Sequence, residues 1–300
     1  MKHYIGWVIR GIAMGAANVI PGVSGGTIAF ITGIYERLIN GLKSFDREAL
    51  ILLFTGRMKD FSNKTDLQFL ISIFTGIGIG IIGFARILEY AFQNYESQTL
   101  SFFFGLIIAS IIGVGKQIEK YSPVVISGLI MGAVLAGGIA FLPPAEANSS
   151  FLYLTLCGMV AVCSMILPGL SGSYILLLMG NYVLVLQAIN NVDISILAPV
   201  ALGCISGVLV FSWLLSFLFK HYKNLTISLL TGFVAGSLAV IWPWKTTTYM
   251  LLESGKQKAT GYSWHWPEMD SAFLWALVLA LVGFLLVWSM EKFTSKPEKG

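Results

Sequence analysis

The chain has 300 residues, of which 56% are hydrophobic and only 11% charged, with a mean hydropathy of +0.79 and a formal net charge of +4. A soluble domain carries about 25% charged residues, so this chain lacks the polar surface to face water on all sides. A soluble enzyme, a disordered chain and a secreted disulfide scaffold are excluded. Its three cysteines, Cys157, Cys163 and Cys204, are odd in number and lie in apolar runs, which reads as small interior residues with neither a disulfide framework nor a metal site. The N-terminus does not read as a signal peptide, because Arg10 interrupts its apolar stretch and no small-x-small site closes it. Several apolar runs reach the roughly 20 residues that cross a bilayer as a helix. Composition therefore predicts an all-α polytopic membrane protein, with the bilayer itself as its first partner.

In chain order, a long apolar stretch at 5–41 is interrupted at its centre by Pro21-Gly22-Val23-Ser24-Gly25. Proline removes a backbone donor and clashes with the preceding turn, so two helices separated by a turn are predicted, the second capped near Ser24. Plain spans follow at 67–85, 99–115 and 123–142. A second broken stretch, 151–189, carries Pro168-Gly169-Leu170-Ser171-Gly172, with Ser171 in the capping place. Three more spans follow at 196–219, 225–244 and 272–290.

This layout is a duplication. The second Pro-Gly-x-Ser-Gly element lies 147 residues after the first, and Gly11/Gly158, Ile28/Ile175, Gly33/Gly180 and Tyr35/Tyr182 keep that offset. Further along the offset becomes 127, with Gly76/Gly203, Gly80/Gly207, Phe84/Phe211, Thr99/Thr226, Ser101/Ser228, Gly105/Gly232 and Ser110/Ser237. The 20 residues by which the first copy is longer fall in the charged loop Lys43–Asp66. Two homologous halves are predicted, 1–145 and 146–300.

Loop charge decides the orientation of the halves, because Lys and Arg accumulate on the cytoplasmic side. If each broken stretch is a hairpin with both ends on one side, 13 loop and tail cations share one face and 4 the other; if each crosses once, the same residues split 7 to 10. The hairpin reading predicts cytoplasmic termini and three net crossings per half. An odd number places the halves in opposite orientations, as two inverted-topology repeats, each a broken hairpin plus three transmembrane helices. Re-entrant and fully crossing arms give the same parity. Re-entrant arms are preferred, because their turn backbone would line a polar cavity.

Such hairpins bring two helix N-termini toward the midplane, at Ser24-Gly25-Gly26-Thr27 and Ser171-Gly172-Ser173. A first helical turn offers unpaired N–H groups and about half a positive charge, glycine admits a ligand to the backbone, and the hydroxyls add donors. The chemistry predicted is an anion site for phosphate or carboxylate; close helix packing by small residues is the competing reading of the same motif. Asn18, and in the second half Asn181, are further donors near the turns. Arg10 is the one charge inside the first arm: it either meets the anion or snorkels to the headgroups. Glu36 and Arg37, at the end of the second arm, form either an exposed pair or a gate or coupling group. Arg86 and Glu89 are spaced as an interfacial ion pair. The segment Arg47–Met58 reads as an amphipathic surface helix. Trp264 and Trp266, in the long loop 245–271, read as interface anchors.

Two motifs lead nowhere. Gly22-Val23-Ser24-Gly25-Gly26 matches the nucleophile-elbow pattern literally, but the second copy ends in Ser173 and there is no strand before it. No phosphate-binding G-x-x-x-x-G-K-[ST] loop is present, so ATP is not the expected energy source. No catalytic residue, metal, cofactor or nucleic-acid partner is predicted.

Asn18-Val19-Ile20-Pro21-Gly22-Val23-Ser24-Gly25-Gly26-Thr27 with Gly33-Ile34-Tyr35, and Met165 to Ser173 with Gly180-Asn181-Tyr182, resemble the paired signatures of the polyprenyl-phosphate transporter family. The likeness runs over nearly the whole chain. It implies a bacterial inner-membrane protein that returns undecaprenyl phosphate from the outer to the cytoplasmic leaflet, recycling the lipid that carries cell-wall precursors. The Pro-Gly-x-Ser element is also similar to that of undecaprenyl-diphosphate phosphatases, which would imply an enzyme. That chemistry needs an arginine in the motif, and here none follows Ser24 until Arg37. A transporter or channel for a small soluble anion is the third reading.

Overall fold

The computed structural model describes residues 2–19, 24–139, 141–251 and 257–294. The first broken stretch forms α1 (Lys2–Val19), α2 (Gly25–Ile31) and α3 (Tyr35–Lys43). Then come α4 (Arg47–Phe54), α5 (Met58–Lys64), α6 (Leu67–Asn94), α7 (Glu96–Gly115) and α8 (Pro123–Ile139). The second stretch forms α9 (Phe151–Ile166), α10 (Gly172–Leu178) and α11 (Tyr182–Asn191). It is followed by α12 (Ile194–His221), α13 (Lys223–Ser237), strands β1 (Lys245–Leu251) and β2 (Gln257–Trp264), and α14 (Ser271–Thr294). Four described helical segments, Leu67–Phe92, Glu96–Gly115, Ile194–His221 and Ser271–Ser289, are long and apolar enough to cross a bilayer, and the chain is a multi-pass membrane protein.

Four predicted elements are corrected. Each broken stretch yields three helices in place of two. Gly33 and Gly180 take left-handed backbone angles (φ +70° and +74°), which let Ile34 N–H reach back to Ala29 O and Asn181 N–H to Leu176 O, both at 3.0 Å. That closing pattern stops α2 and α10 after seven residues, and the chain turns by 116° between α10 and α11. The span 225–244 ends as a helix at Ser237, where short i to i+3 bonds take over (Leu238 to Ala235, Ala239 to Gly236). The loop 245–271 is not featureless: β1 and β2 pair antiparallel from Lys245/Trp264 to Leu251/Gln257, so the helical fold carries one β-hairpin. Trp264 there donates to Ala239 O (2.8 Å) and lies against Phe141, whereas Trp266 is exposed. Finally, Arg47–Met58 is not one helix. Gly56 at φ +72° separates α4 from α5, and the two share a small core of Ala49, Leu52 and Phe61. For Arg86 and Glu89, Arg86 is exposed and the Glu89 side chain lies outside those described.

The chain divides into two compact units, and each takes elements from both sequence halves: one gathers Met1–Val19, Ser24–Phe84 and Pro144–Lys223, the other Ile20–Val23, Ala85–Pro143 and Asn224–Gly300. In the first unit the crossings α1–α6 and α9–α12 are backbone-close. A Cβ added at Gly11 would strike Ile73 O, at Gly76 Val8 O and at Gly80 Ile12 O. In the second half, Gly158 faces Val200 O, Gly203 faces Thr155 O and Gly207 faces Met159 O. These are the same contacts shifted by 147 residues on the first helix and 127 on the second. The second unit holds the pairs α7–α14 and α8–α13: Gly105 faces Ala280 O and Gly283 faces Phe102 O, while Gly232 faces Leu129 O and Gly132 faces Leu229 O. They correspond if Leu129 and Gly132 match Ala280 and Gly283, an offset of 151 that sequence matching alone did not reach. Between apolar helices in lipid, no water is released by burying further hydrocarbon, so close backbone approach through small residues supplies the attraction.

Candidate functional site

The first unit brings Ser24 and the start of α2 against the second Pro-Gly-x-Ser-Gly motif; Pro21, Gly22 and Val23 lie outside the described residues. The last turn of α1 presents Asn18, whose Oδ1 accepts the Gly25 N–H at 2.7 Å. Ser24 caps α2, its Oγ accepting the Gly26 N–H at 3.1 Å, and the same hydroxyl faces Met165 O (3.3 Å) and Leu167 O (3.5 Å) at the end of α9. Thr27 Oγ1 accepts the Gly169 N–H of the second motif at 2.9 Å. A Cβ on Gly26 would fall 2.7 Å from Ile166 O. The N-terminus of α2 therefore abuts the carbonyl end of α9, positive dipole end against negative, which is the favourable arrangement.

This places the expected site residues unequally. Ser24, Gly25, Gly26 and Thr27 are all buried, and the N–H groups of Gly25, Gly26 and Thr27 are held by Asn18, Ser24 Oγ and Ser24 O. The expectation of bare donors at this helix end gives way to donors occupied by protein. At α10, Ser171 makes no side-chain cap; its Oγ lies 3.0 Å from Ser173 Oγ, with Ser173 exposed. Gly172 is buried, and a Cβ there would sit 2.6 Å from Ala161 O. Of the polar side chains at these two helix starts, Asn18 and Ser173 are exposed and Ser171 is half-buried.

Arg10 is half-buried on α1. Eight residues of helix, at 1.5 Å each, put it about 12 Å along the axis from Asn18, so it is not gathered into the junction. Asn181 is fully buried and structural: its Oδ1 accepts Asn148 N–H (2.9 Å), its Nδ2 donates to Asn148 O (2.8 Å) and approaches Cys157 Sγ (3.4 Å).

Glu36 and Arg37 stand elsewhere, at the start of α3. Arg37 grips Asp66 with both a 2.6 Å Nε bond and a 3.0 Å bond from its terminal nitrogen, and its guanidinium lies over the Trp7 and Phe69 rings at 4.4 and 4.3 Å. Asp66 sits in the left-handed region (φ 49°) at the α5–α6 junction, an uncommon place for a side-chain-bearing residue. Gly33, Glu36, Arg37, Asn40, Lys64 and Asp66 line an open surface cleft of about 470 Å³. Sequence reading missed Asp66. The signal available was its match to Asp193 at the offset of 127, each standing directly before a span; Asp193 caps α12 by accepting the Ser195 N–H. Among the described residues no three His, Cys, Asp or Glu side chains gather as a metal ion would require.

With this geometry in hand, likeness to known proteins can be placed on it. The chain matches the family described as undecaprenyl phosphate translocase-like over residues 14–259, a range that includes both motifs. It is 37% identical to a protein of Vibrio cholerae serotype O1 named polyprenyl-phosphate transporter, over 98% of each chain. It is 27% identical to a Staphylococcus aureus protein of the same name, over 97% of each. No solved structure matches it. A match over most of the chain, together with a relative this similar along its full length, settles the kinship: the chain belongs to the undecaprenyl phosphate translocase-like family.

Proposed function

We propose that this protein is a transporter that returns undecaprenyl phosphate, or a related polyprenyl phosphate, from the outer to the cytoplasmic leaflet of the bacterial inner membrane. The observation that carries the reading is the full-length likeness to two proteins named polyprenyl-phosphate transporter. The geometry adds a place for the head group. At the junction of the two motifs, Asn18 Nδ2 and the hydroxyls of Ser171 and Ser173 can donate to phosphate oxygens. The isoprenoid tail stays in the bilayer, so the protein need only shelter the charged end. In this reading the two halves are inverted repeats, their hairpins are re-entrant, Arg10 lies on the approach to the junction, and Glu36 and Arg37 belong to a gate.

Reconstituted liposomes test this directly. Undecaprenyl phosphate added to one leaflet should become accessible in the other in a protein-dependent manner, with no inorganic phosphate released from the diphosphate lipid. Phosphate release would convert the reading to a phosphatase. Flux of free phosphate without lipid movement would convert it to an anion channel.

The topology has its own test, drawn from the loop-charge asymmetry. Cysteines placed at 146 and 256 should react with an impermeant reagent from outside intact cells, and one at 60 should not. Outside labelling at 60 would overturn the paired-hairpin arrangement.

A further inference from the structure

We propose that α4 and α5 form a membrane-surface module that lays an apolar face onto an anionic phospholipid leaflet. The module is an addition to the duplicated plan: the second half passes from α11 to α12 through Val192 and Asp193 alone, while the first half inserts two helices at the same point. It is internally complete. Ala49, Leu52 and Phe61 form its core with Phe45 and Leu67 packed against them. Asp46 caps α4 by accepting Ala49 N–H at 2.9 Å, a bond that holds its carboxyl below the usual range. Lys64 ties the two helices together through Asp46 (3.1 Å) and Glu48.

Its outer face is not complete. Leu50, Ile51, Leu53, Phe54 and Met58 are 51, 52, 39, 84 and 53% exposed. An amphipathic helix this short ordinarily buries such residues, and a contiguous apolar patch requires a cover. Two observations name the cover. Only Thr65 and Asp66 separate α5 from α6, whose Leu67–Phe92 stretch is long and apolar enough to span. At up to about 3.6 Å per step, the three steps from Lys64 to Leu67 keep the end of α5 within about 11 Å of the start of that span. Arg47 and Lys59 flank the patch and make no ion pair among the described residues, which suits anionic headgroups above an apolar face sunk about 5–10 Å into the boundary.

The test uses full-length protein with Cys157, Cys163 and Cys204 replaced, keeping wild-type thermostability, in vesicles of phosphatidylethanolamine with 30% phosphatidylglycerol, a fraction chosen as roughly that of an anionic leaflet. A nitroxide on Phe54→Cys should be relaxed more strongly by oxygen than by a water-soluble nickel chelate, and one on Asn63→Cys, exposed on α5, the reverse. Arg47→Glu with Lys59→Glu should shift the Phe54 label severalfold toward water, as should replacing the anionic lipid by phosphatidylcholine. A Phe54 label as aqueous as that at Asn63 would overturn the proposal. So would a Phe54 label shielded from both relaxants and spin-coupled to a second copy, which would make the patch a self-association surface. Indifference to both charge changes would overturn the anionic component.

Discussion

Gly76→Val is expected to destabilise the fold strongly, and Gly78→Val, two residues along the same helix, to leave its stability unchanged. A Cβ at Gly76 would strike Val8 O and lie 2.8 Å from the Gly11 Cα, backbone atoms of α1 that cannot turn aside as a side chain would. At Gly78 an added Cβ meets nothing within 4 Å. Overpacking a well-fitted interior costs about 1–3 kcal/mol, and more where the obstacle is backbone. At about 2–4 °C per kcal/mol for a chain of this order of size, 3 kcal/mol lowers the thermal midpoint by about 6–12 °C. Gly203→Val should behave like Gly76→Val, since Gly203 meets Thr155 O on α9 as Gly76 meets Val8 O on α1. Thermal unfolding in detergent, read with monodispersity on gel filtration, separates the outcomes. Equal midpoints for the Gly76 and Gly78 variants would mean that α1 and α6 do not approach through their backbones.

That pair of glycines also shows what sequence could and could not reveal. The expectation of a duplication rested on glycines that the fold uses at matching crossings: Gly11/Gly158, Gly76/Gly203 and Gly80/Gly207 each meet a backbone carbonyl of the helix they cross. The last helix escaped because its repeat signal, Gly132/Gly283, is diluted by lipid-facing Leu and Val that can exchange freely. The break at Pro21 and Pro168 was legible from proline's missing donor. The second break was not, because Gly33 and Gly180 in an apolar run carry no sign of which way φ will turn, and only the tertiary path shows +70° and +74°. The site was half legible. Motif and spacing marked Ser24, Gly25, Gly26 and Thr27, which the fold does set against the second motif. They could not show that the N-terminus of α2 is stoppered by the end of α9, because that depends on which carbonyls the fold brings up to Ser24 and Gly26. Arg37 was singled out by its charge, whereas Asp66 was hidden in a charged loop where any carboxylate looks solvated.

In the proposed reading, the occupied α2 terminus leaves head-group recognition to the side chains of Asn18, Ser171 and Ser173, and Asn18→Asp isolates it. Aspartate keeps a side-chain oxygen to accept the Gly25 N–H now held by Asn18 Oδ1 at 2.7 Å, so the turn between α1 and α2 should retain its cap. What changes is the other atom of the amide: a donor becomes a negative charge, which in the proposed site would face the lipid phosphate. Two like charges about 4 Å apart at an effective dielectric of about 20 repel by about 4 kcal/mol. Affinity for a short-chain polyprenyl phosphate should therefore fall by about two to three orders of magnitude, with the thermal midpoint unchanged. Ser171→Ala and Ser173→Ala remove one hydroxyl each, at about 0.5–1.5 kcal/mol, and should weaken binding only severalfold. Asn18→Ala is the contrasting variant: it takes away the cap as well as the donor, so stability and affinity should drop together. Binding of the uncharged polyprenol, which presents no phosphate, should be indifferent to Asn18→Asp, and this separates charge repulsion from a distorted site. Wild-type affinity of Asn18→Asp for the phosphate lipid would remove the head group from the motif junction and leave that junction as helix packing alone.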